Sequence, residues 1–341
     1  MGPSGDAGAR RDIQTLFTFV ANSMVFTDPP HHTRLRALTT KAFNARAIEA
    51  LRPRIVALAE ELLDAKRVAG GMDAVWDFAF PFPIIVILTL LGIPTEDRAR
   101  IKRWCDGFLV PFGRAPDSLS QAEWHDASES AMSLRNYVGG LAESARKNPS
   151  AGLISDLVHV ADGSDRLSTD ELFATIILLI IGGHENMTAL LGSSVLAFAR
   201  HPDQWKRLGE EPSLMEEAVE ELLRYVCPNH FIRRRALEDL TMGGKTIKKG
   251  DMLFLILAAA KRDPAHFPNP ERLDIARPHA RNVALGQGFH FCLGGALAKM
   301  EIEIALGTLR KRLPVLKLGA ETQEYNDNHN VRSLKGLKLV W

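Results

Sequence analysis

Along most of this chain apolar residues return every three or four positions, the period of a helix packed on one face. That spacing predicts a helix opening near Pro30, after Asp28-Pro-Pro-His-His-Thr33, with Pro53 at the junction to the next. It predicts a buried helix over 73–91, interrupted by Pro81 and Pro83, and an amphipathic one over 94–109. A loop through Gly113, Pro116 and Ser118 then leads to a long helix over 121–147, with Leu134, Val138 and Leu141 on a common face. Ser168-Thr-Asp-Glu171 has capping-box spacing and starts a helix that runs to Arg200, before Pro202. Being apolar nearly all round, that helix should cross the centre of the protein. A further amphipathic helix begins near Pro212, and strand signals are confined to 231–235, 240–249, 252–257, 313–318 and 334–340. No internal repeat, low-complexity tract or linker divides this mainly α chain with its small β component.

Composition excludes more than it selects. The 341 residues suffice for one large helical domain with a substantial core. Lys and Arg number 42 against 41 Asp and Glu, so no global field recruits nucleic acid or an anionic membrane. Cys105, Cys227 and Cys292 are odd in number and far apart, which argues against a disulfide scaffold and for a reducing cytoplasm. None has the paired spacing of a structural zinc site. The most apolar run, 78–93, is too short to span a bilayer comfortably and reads as a core helix. The N-terminal residues are Gly-, Ala- and Arg-rich without the apolar stretch of a signal peptide, so a soluble cytoplasmic protein with a flexible tail over 1–9 is expected.

The chemistry concentrates in Ala284-Leu-Gly-Gln-Gly-Phe-His-Phe-Cys292-Leu-Gly-Gly-Ala-Leu-Ala-Lys299, where one cysteine stands in a glycine-rich loop just before a helical segment. Glycines such as Gly286 and Gly288 let a flat ligand approach the main chain closely. The first amides of the following helix should point at the Cys292 sulfur and favour a thiolate, which is a good metal ligand. A second constellation, Ile181-Gly-Gly-His-Glu-Asn-Met-Thr188, puts Gly182 and Gly183 in mid-helix, at about 1 kcal/mol each relative to alanine. That suggests a helix which opens there or admits a ligand, beside Glu185 and Asn186.

The cysteine loop resembles the haem-binding signature of the cytochrome P450 family, Phe-x-x-Gly-x-His-x-Cys-x-Gly. Gly288, His290, Cys292 and Gly294 match, and Leu285 stands where the family has Phe. The resemblance implies haem b with Cys292 as the axial iron ligand, pushing electron density toward O–O cleavage. It places His290 near a haem propionate. Leu285 should leave one face of the loop less covered. The 181–188 stretch resembles the family's oxygen-binding motif, with Gly182, Gly183 and Glu185 matching. Asn186 replaces the alcohol that helps deliver protons to bound dioxygen, and an amide is no hydroxyl-like relay. Thr188, on another side of the helix, is a poor substitute. Glu221 and Arg224 resemble the family's Glu-x-x-Arg pair, which Arg272 in Pro270-Glu-Arg272-Leu would complete as a buried structural triad. His32 and Arg36, one turn apart after Pro30, resemble the propionate-binding helix, and Arg234 aligns with the strand arginine. Gly183, Gly286 and these cations are thus the cofactor-binding set, with Glu185 and Asn186 catalytic.

The resemblance runs from Phe26 to the end and implies a P450 fold over 26–341, a helical bundle around haem, behind a short flexible segment 1–25. Family members usually carry some dozens more residues first, so the front end reads as naturally short or truncated, with a sheet edge exposed. The implied function is a monooxygenase that oxidises a small organic molecule with dioxygen, in bacterial secondary metabolism or catabolism. Its electrons would come from a separate ferredoxin and ferredoxin reductase. Gly183, Asn186, Phe231 and Ile232 are candidate pocket residues, with Val110 and Phe112 in the loop after the 94–109 helix. Asn186 also motivates an oxidase that couples, cyclises or desaturates without oxygen insertion. The short front end and altered relay leave open a non-catalytic haem-binding or partner-recruiting module.

Overall fold

One 32-residue helix, Thr169–Arg200, carries buried side chains around most of its circumference, and the chain is arranged about it in the computed structural model of the protein. That structure describes residues 7–66, 70–114, 118–161, 164–278, 282–328 and 330–341. In chain order the helices are α1 (Ala7–Asn22), α2 (His31–Ala42), α3 (Ala45–Glu49), α4 (Arg52–Asp64), α5 (Pro81–Leu91), α6 (Arg98–Gly113) and α7 (Gln121–Lys147). Then follow α8 (Leu153–His159), α9 (Thr169–Arg200), α10 (Pro202–Glu210), α11 (Met215–Val226), α12 (Leu257–Ala260) and α13 (Gly295–Arg312). The strands are β1 (Gly71–Asp73), β2 (Phe231–Arg235), β3 (Leu240–Met242), β4 (Lys245–Ile247), β5 (Met252–Ile256), β6 (Lys317–Leu318) and β7 (Lys338–Val340). They pair antiparallel as β1-β7-β6, β2-β5 and β3-β4. Buried apolar residues from Leu16 to Leu339 form a single connected cluster.

The signals that start α9 act as anticipated. Glu171 donates its amide to Ser168 Oγ at 3.2 Å, and its carboxylate accepts the Ser168 amide at 2.8 Å. Arg34 of α2 reaches the same carboxylate at 2.6 Å and Asp165 at 2.8 Å, so one guanidinium pins α2 to the entry of the central helix. Burial works to raise the Glu171 carboxyl, but Arg34 and the Ser168 amide hold it below its ordinary value. At the far end of α5, Gly92 (φ 77°) closes the helix where a Cβ would lie 2.8 Å from the Ala151 carbonyl. Only glycine allows that main-chain approach between α5 and the start of α8.

Several expectations change. The segment 1–25, which reads as flexible, contains α1, with Leu16 and Phe19 buried and Phe19 edge-on to Phe108 at 4.6 Å. Its polar and charged positions hide a narrow apolar stripe. The 73–91 helix is a π-helical turn over Ala74–Ala79 followed by α5, with Pro81 in the first turn, where a missing N–H costs nothing. Helix α6 continues through Pro111 to Gly113, so Val110 and Phe112 belong to its last turns rather than to a loop. The 240–249 strand is a hairpin, because Gly243 and Gly244 take φ 56° and 73°. Two segments, Ala74–Leu91 and Thr169–Arg200, are long and apolar enough to cross a membrane, but most of each is buried in the protein's own core.

Glu301 of α13 is fully buried, and its Oε2 has no partner among the described residues. Burial raises its carboxyl well above 4.5, so the native state keeps a proton that the unfolded chain releases. Stability from this group is complete below that pH and falls as pH rises, by at most about 1.4 kcal/mol per unit. Glu301→Gln should therefore gain stability over the wild type at pH 8 and match it near pH 4. Urea melts at the two values check this; an equal difference at both would count against a buried proton.

Candidate functional site

The cysteine loop is shaped by its main chain. Gly286 and Gly288 take φ 77° and 71°, and an added Cβ on Gly286 would meet nothing closer than 3.6 Å. That glycine is therefore required by conformation rather than by space. The turn lets Cys292 donate its amide to Leu285 O at 2.8 Å, and Phe291 to Gly288 O at 3.0 Å, before α13 begins at Gly295. Leu285 packs against the core with Cδ1 3.2 Å from where a Gly295 Cβ would stand, so the smaller residue still covers its side of the loop. The Gly294 amide bonds the Cys292 sulfur, as helix-terminal amides should, and Arg36 adds a positive field. Burial outweighs both and pushes the thiol above its ordinary value. The expected thiolate preference therefore needs a bound cation to be realised.

Beside this loop the sequence-predicted cations converge. His32 is buried, lies edge-on to His290 at 4.5 Å between centroids, and touches the Phe289 ring at 5.2 Å. Arg36 donates to the Phe289 carbonyl at 3.2 Å. Burial, then Arg36, depresses the His32 ring, while burial followed by His32 and Arg234 depresses His290. Four groups able to carry positive charge thus crowd together, opposed by the exposed Asp28, 3.9 Å from His290. Both ring nitrogens of His32 are buried without a partner among the described residues. Such a cluster suits a ligand bearing carboxylates, which would satisfy those nitrogens and reverse the repulsion. Among the described residues no group of three or more His, Cys, Asp or Glu could hold a metal ion. A metal on Cys292 would therefore bring most of its ligands with it, as iron in a porphyrin does. Arg234 is exposed on β2 and bonds the Arg233 carbonyl at 2.8 Å. Arg233 lies over Phe231 and Arg235 donates to Gly250 O.

The second constellation sits on an unbroken helix, so the expected opening at Gly182 and Gly183 is not formed. On one side Gly183 packs against Ile87 of α5, 3.0 Å from where an added Cβ would stand. Gly182 instead borders open space. Glu185 Oε1 lies 3.3 Å from His184 Nδ1 and 3.5 Å from Lys102 Nζ on α6, and Lys102 also pairs with the exposed Asp106. Burial tends to raise the Glu185 carboxyl, but His184 and Lys102 hold it below its ordinary value. Among the described residues Asn186 Oδ1, Thr188 Oγ1 and His184 Nε2 are buried without partners. Lys102 escaped the sequence reading because its pairing is long-range, whereas His184 was visible beside Glu185. Lys102→Met should raise the Glu185 carboxyl and shift any acid limb of the pH–rate profile to higher pH. An unmoved limb would remove Lys102 from this role.

Of the expected pocket residues, Phe112 stacks on Phe26 at 6.1 Å, and Phe231 meets Phe254 edge-on at 5.4 Å, with Ile232 half-buried beside it. A cavity of about 540 Å³, lined by Leu63, Met72, Leu313 and Trp341, lies at the opposite end of α13 and shares no residue with the cysteine loop. Glu221 and Arg224 pair as anticipated, at 2.7 and 2.8 Å, but the third member is Arg277, 3.1 Å from Glu221. Arg272 is exposed and contributes only its carbonyl, because the chain turns after Pro270 and delivers Arg277 inward.

Comparison with known proteins agrees with this geometry. A sequence model of the cytochrome P450 family matches residues 117–335. The chain is 42% identical over 330 residues to cytochrome P450 CYP107DY1 of Priestia megaterium, covering 96% of this chain and 79% of that protein. It is 37% identical over 318 residues to the 6-deoxyerythronolide B hydroxylase of Saccharopolyspora erythraea, covering 93% and 76%. It superposes on the crystal structure of P450BioI, solved with a hexadec-9Z-enoic acid ligated acyl carrier protein, with a TM-score of 0.91 and 34% identity. That match covers 100% of this chain and 86% of the other.

Proposed function

The chain belongs to the cytochrome P450 family and is a monooxygenase, and we propose that it works as one haem-thiolate domain, α1 included, that oxidises a small organic molecule in the bacterial cytoplasm. The observation that carries this reading is Cys292 in an amide-lined loop beside the unpartnered His32, with Arg36, Arg234 and His290 around it. Cys292 would hold the iron of haem b, and those four side chains would bind its two propionates. When bound, the haem supplies the redox chemistry that activates dioxygen. A separate ferredoxin and ferredoxin reductase would deliver the electrons.

The chain's own contribution is proton handling and positioning. Lys102 and His184 favour the ionised form of Glu185 inside the protein. Asn186, next along α9, would hold water or a polar group of the substrate by hydrogen bonds and cannot itself relay a proton as an alcohol does. Asn186→Thr should therefore change the fraction of consumed electrons that appears as product. An unchanged ratio of product to reductant would show that residue 186 is outside the relay.

Asn186 also supports a second reading, oxidation by coupling, cyclisation or desaturation. Turnover under isotope-labelled dioxygen with a surrogate ferredoxin system separates the two. Labelled product supports insertion, and oxidised but unlabelled product supports the oxidase.

A further inference from the structure

Helix α13 ends at Arg312, just before Pro314, and the cavity of about 540 Å³ lies between its end, the end of α4 and the β1-β7-β6 sheet. The floor is buried and apolar, formed by Leu63 and Met72. The mouth is apolar as well. Val315, Val340 and Trp341 line it and are exposed side by side, where single scattered apolar residues are the norm on a surface. Three cations stand among these side chains, Lys311, Arg312 and Lys317, against a single carboxylate, Asp64. Arg312 takes both oxygens of that carboxylate, at 3.0 and 3.1 Å. Lys311 and Lys317 have no carboxylate partner among the described residues. The negative end of α13 accounts for a basic residue at 311. It does not account for Lys317, which stands on β6.

We propose that this cavity is a binding site for one amphipathic carboxylate, a molecule with a flexible hydrocarbon tail and a single anionic head. The volume lies within the range of small-molecule sites, which are mostly apolar with a few polar groups that fix orientation. The tail would lie on Leu63 and Met72 and cover the exposed side chains at the mouth. The head would meet Lys311 and Lys317, two flexible ammonium groups rather than a rigid guanidinium fork, so it is recognised by charge more than by shape. A cationic amphiphile would be repelled by the same pair, and a neutral one would leave both lysines unpaired. Oxidation does not take place here. Cys292 precedes the other end of α13, whose 18 residues span about 27 Å at the usual helical rise, so a molecule held in the cavity is out of reach of a haem on that sulfur. Occupancy would instead join the ends of α4 and α13 to the sheet, a role for a ligand other than the substrate.

The test uses the haem-loaded full chain and dodecanoate carrying a diazirine at the end of its tail, irradiated below the micelle-forming concentration, digested and read by mass spectrometry, with no turnover required. The expected result is saturable labelling of peptides containing Leu63, Met72 or Val340, competed away by unmodified dodecanoate. The corresponding alcohol should need at least about fivefold more to reach half-saturation. Lys311→Glu combined with Lys317→Glu should remove that preference, and both side chains are exposed, so the fold should tolerate the change. Equal labelling by acid and alcohol would overturn the proposal, because the lysines would then recognise nothing. So would label confined to α9 around Gly182, or label that appears only once micelles form, since the face would then meet an assembled surface rather than one molecule. The wild-type comparison of acid with alcohol decides even if the double variant fails to fold.

Discussion

Cys292→Ala should give a folded protein that lacks the carbon monoxide band of a reduced thiolate-ligated haem. Its monooxygenase turnover should fall by at least three orders of magnitude, about 4 kcal/mol of lost transition-state stabilisation. The fold should survive because the loop is not held by this side chain. Its turns are closed by the Cys292 amide on Leu285 O and the Phe291 amide on Gly288 O, both of which alanine keeps. The activity should not survive, because no other described residue in the loop offers a soft ligand, and the sulfur's contacts with the Gly294 amide and the field of Arg36 are specific to position 292. Cys292→Ser should retain haem poorly and also lack the band, since a hydroxyl is a hard and weakly acidic ligand. Persistence of the band in either variant would remove Cys292 as the ligand, whatever the turnover.

The parts of this architecture that the sequence disclosed are those whose causes are local. The capping box at Ser168 and Glu171, the prolines near the starts of α4 and α5, and the strand-forming runs of β2 and β5 each act within a few residues and could be read directly. So could the cysteine loop, where four matches to a resembling motif fall within a short span. What escaped depends on contacts between distant positions. Helix α1 was masked because its apolar stripe is thin and gains meaning only against Phe108 and Phe173. The packing of Gly183 against Ile87 is a contact that no periodicity names. Lys102 stabilises Glu185 from another helix, and a charge on an amphipathic surface carries no sign of such a partner. The site itself was assembled largely from a family likeness, whereas the crowding of His32, Arg36, Arg234 and His290 is the physical reason that likeness holds.

The choice between Arg272 and Arg277 has the largest stability consequence in the molecule, and the two residues predict opposite outcomes. Arg277→Ala should destabilise the protein by about 1.5–3 kcal/mol, the range for losing a hydrogen bond to a charged group, since Glu221 keeps its pairing with Arg224. Arg272→Ala should stay within about 0.5 kcal/mol, as for an ordinary exposed residue. The asymmetry follows from what each guanidinium touches. Arg277 bonds Glu221 at 3.1 Å and the carbonyls of Pro268, Asn269 and Arg272 at 2.6, 3.3 and 3.0 Å. Arg224 bonds the carbonyls of Lys261, Pro270 and Arg272 at 3.0, 2.8 and 3.2 Å. Two cations sharing one buried carboxylate thus clamp the chain on its way to the cysteine loop. Removing Glu221 strands both of them, so Glu221→Ala should be worse than either arginine variant. In a double-mutant cycle, Glu221→Gln with Arg277→Met should cost less than the sum of the two single changes, because the second change relieves a charge that the first left unpaired. Denaturant melts of the haem-loaded variants measure all of these. Equal costs for Arg272→Ala and Arg277→Ala, or additive behaviour in the cycle, would mean that Arg277 is not the third member of the network.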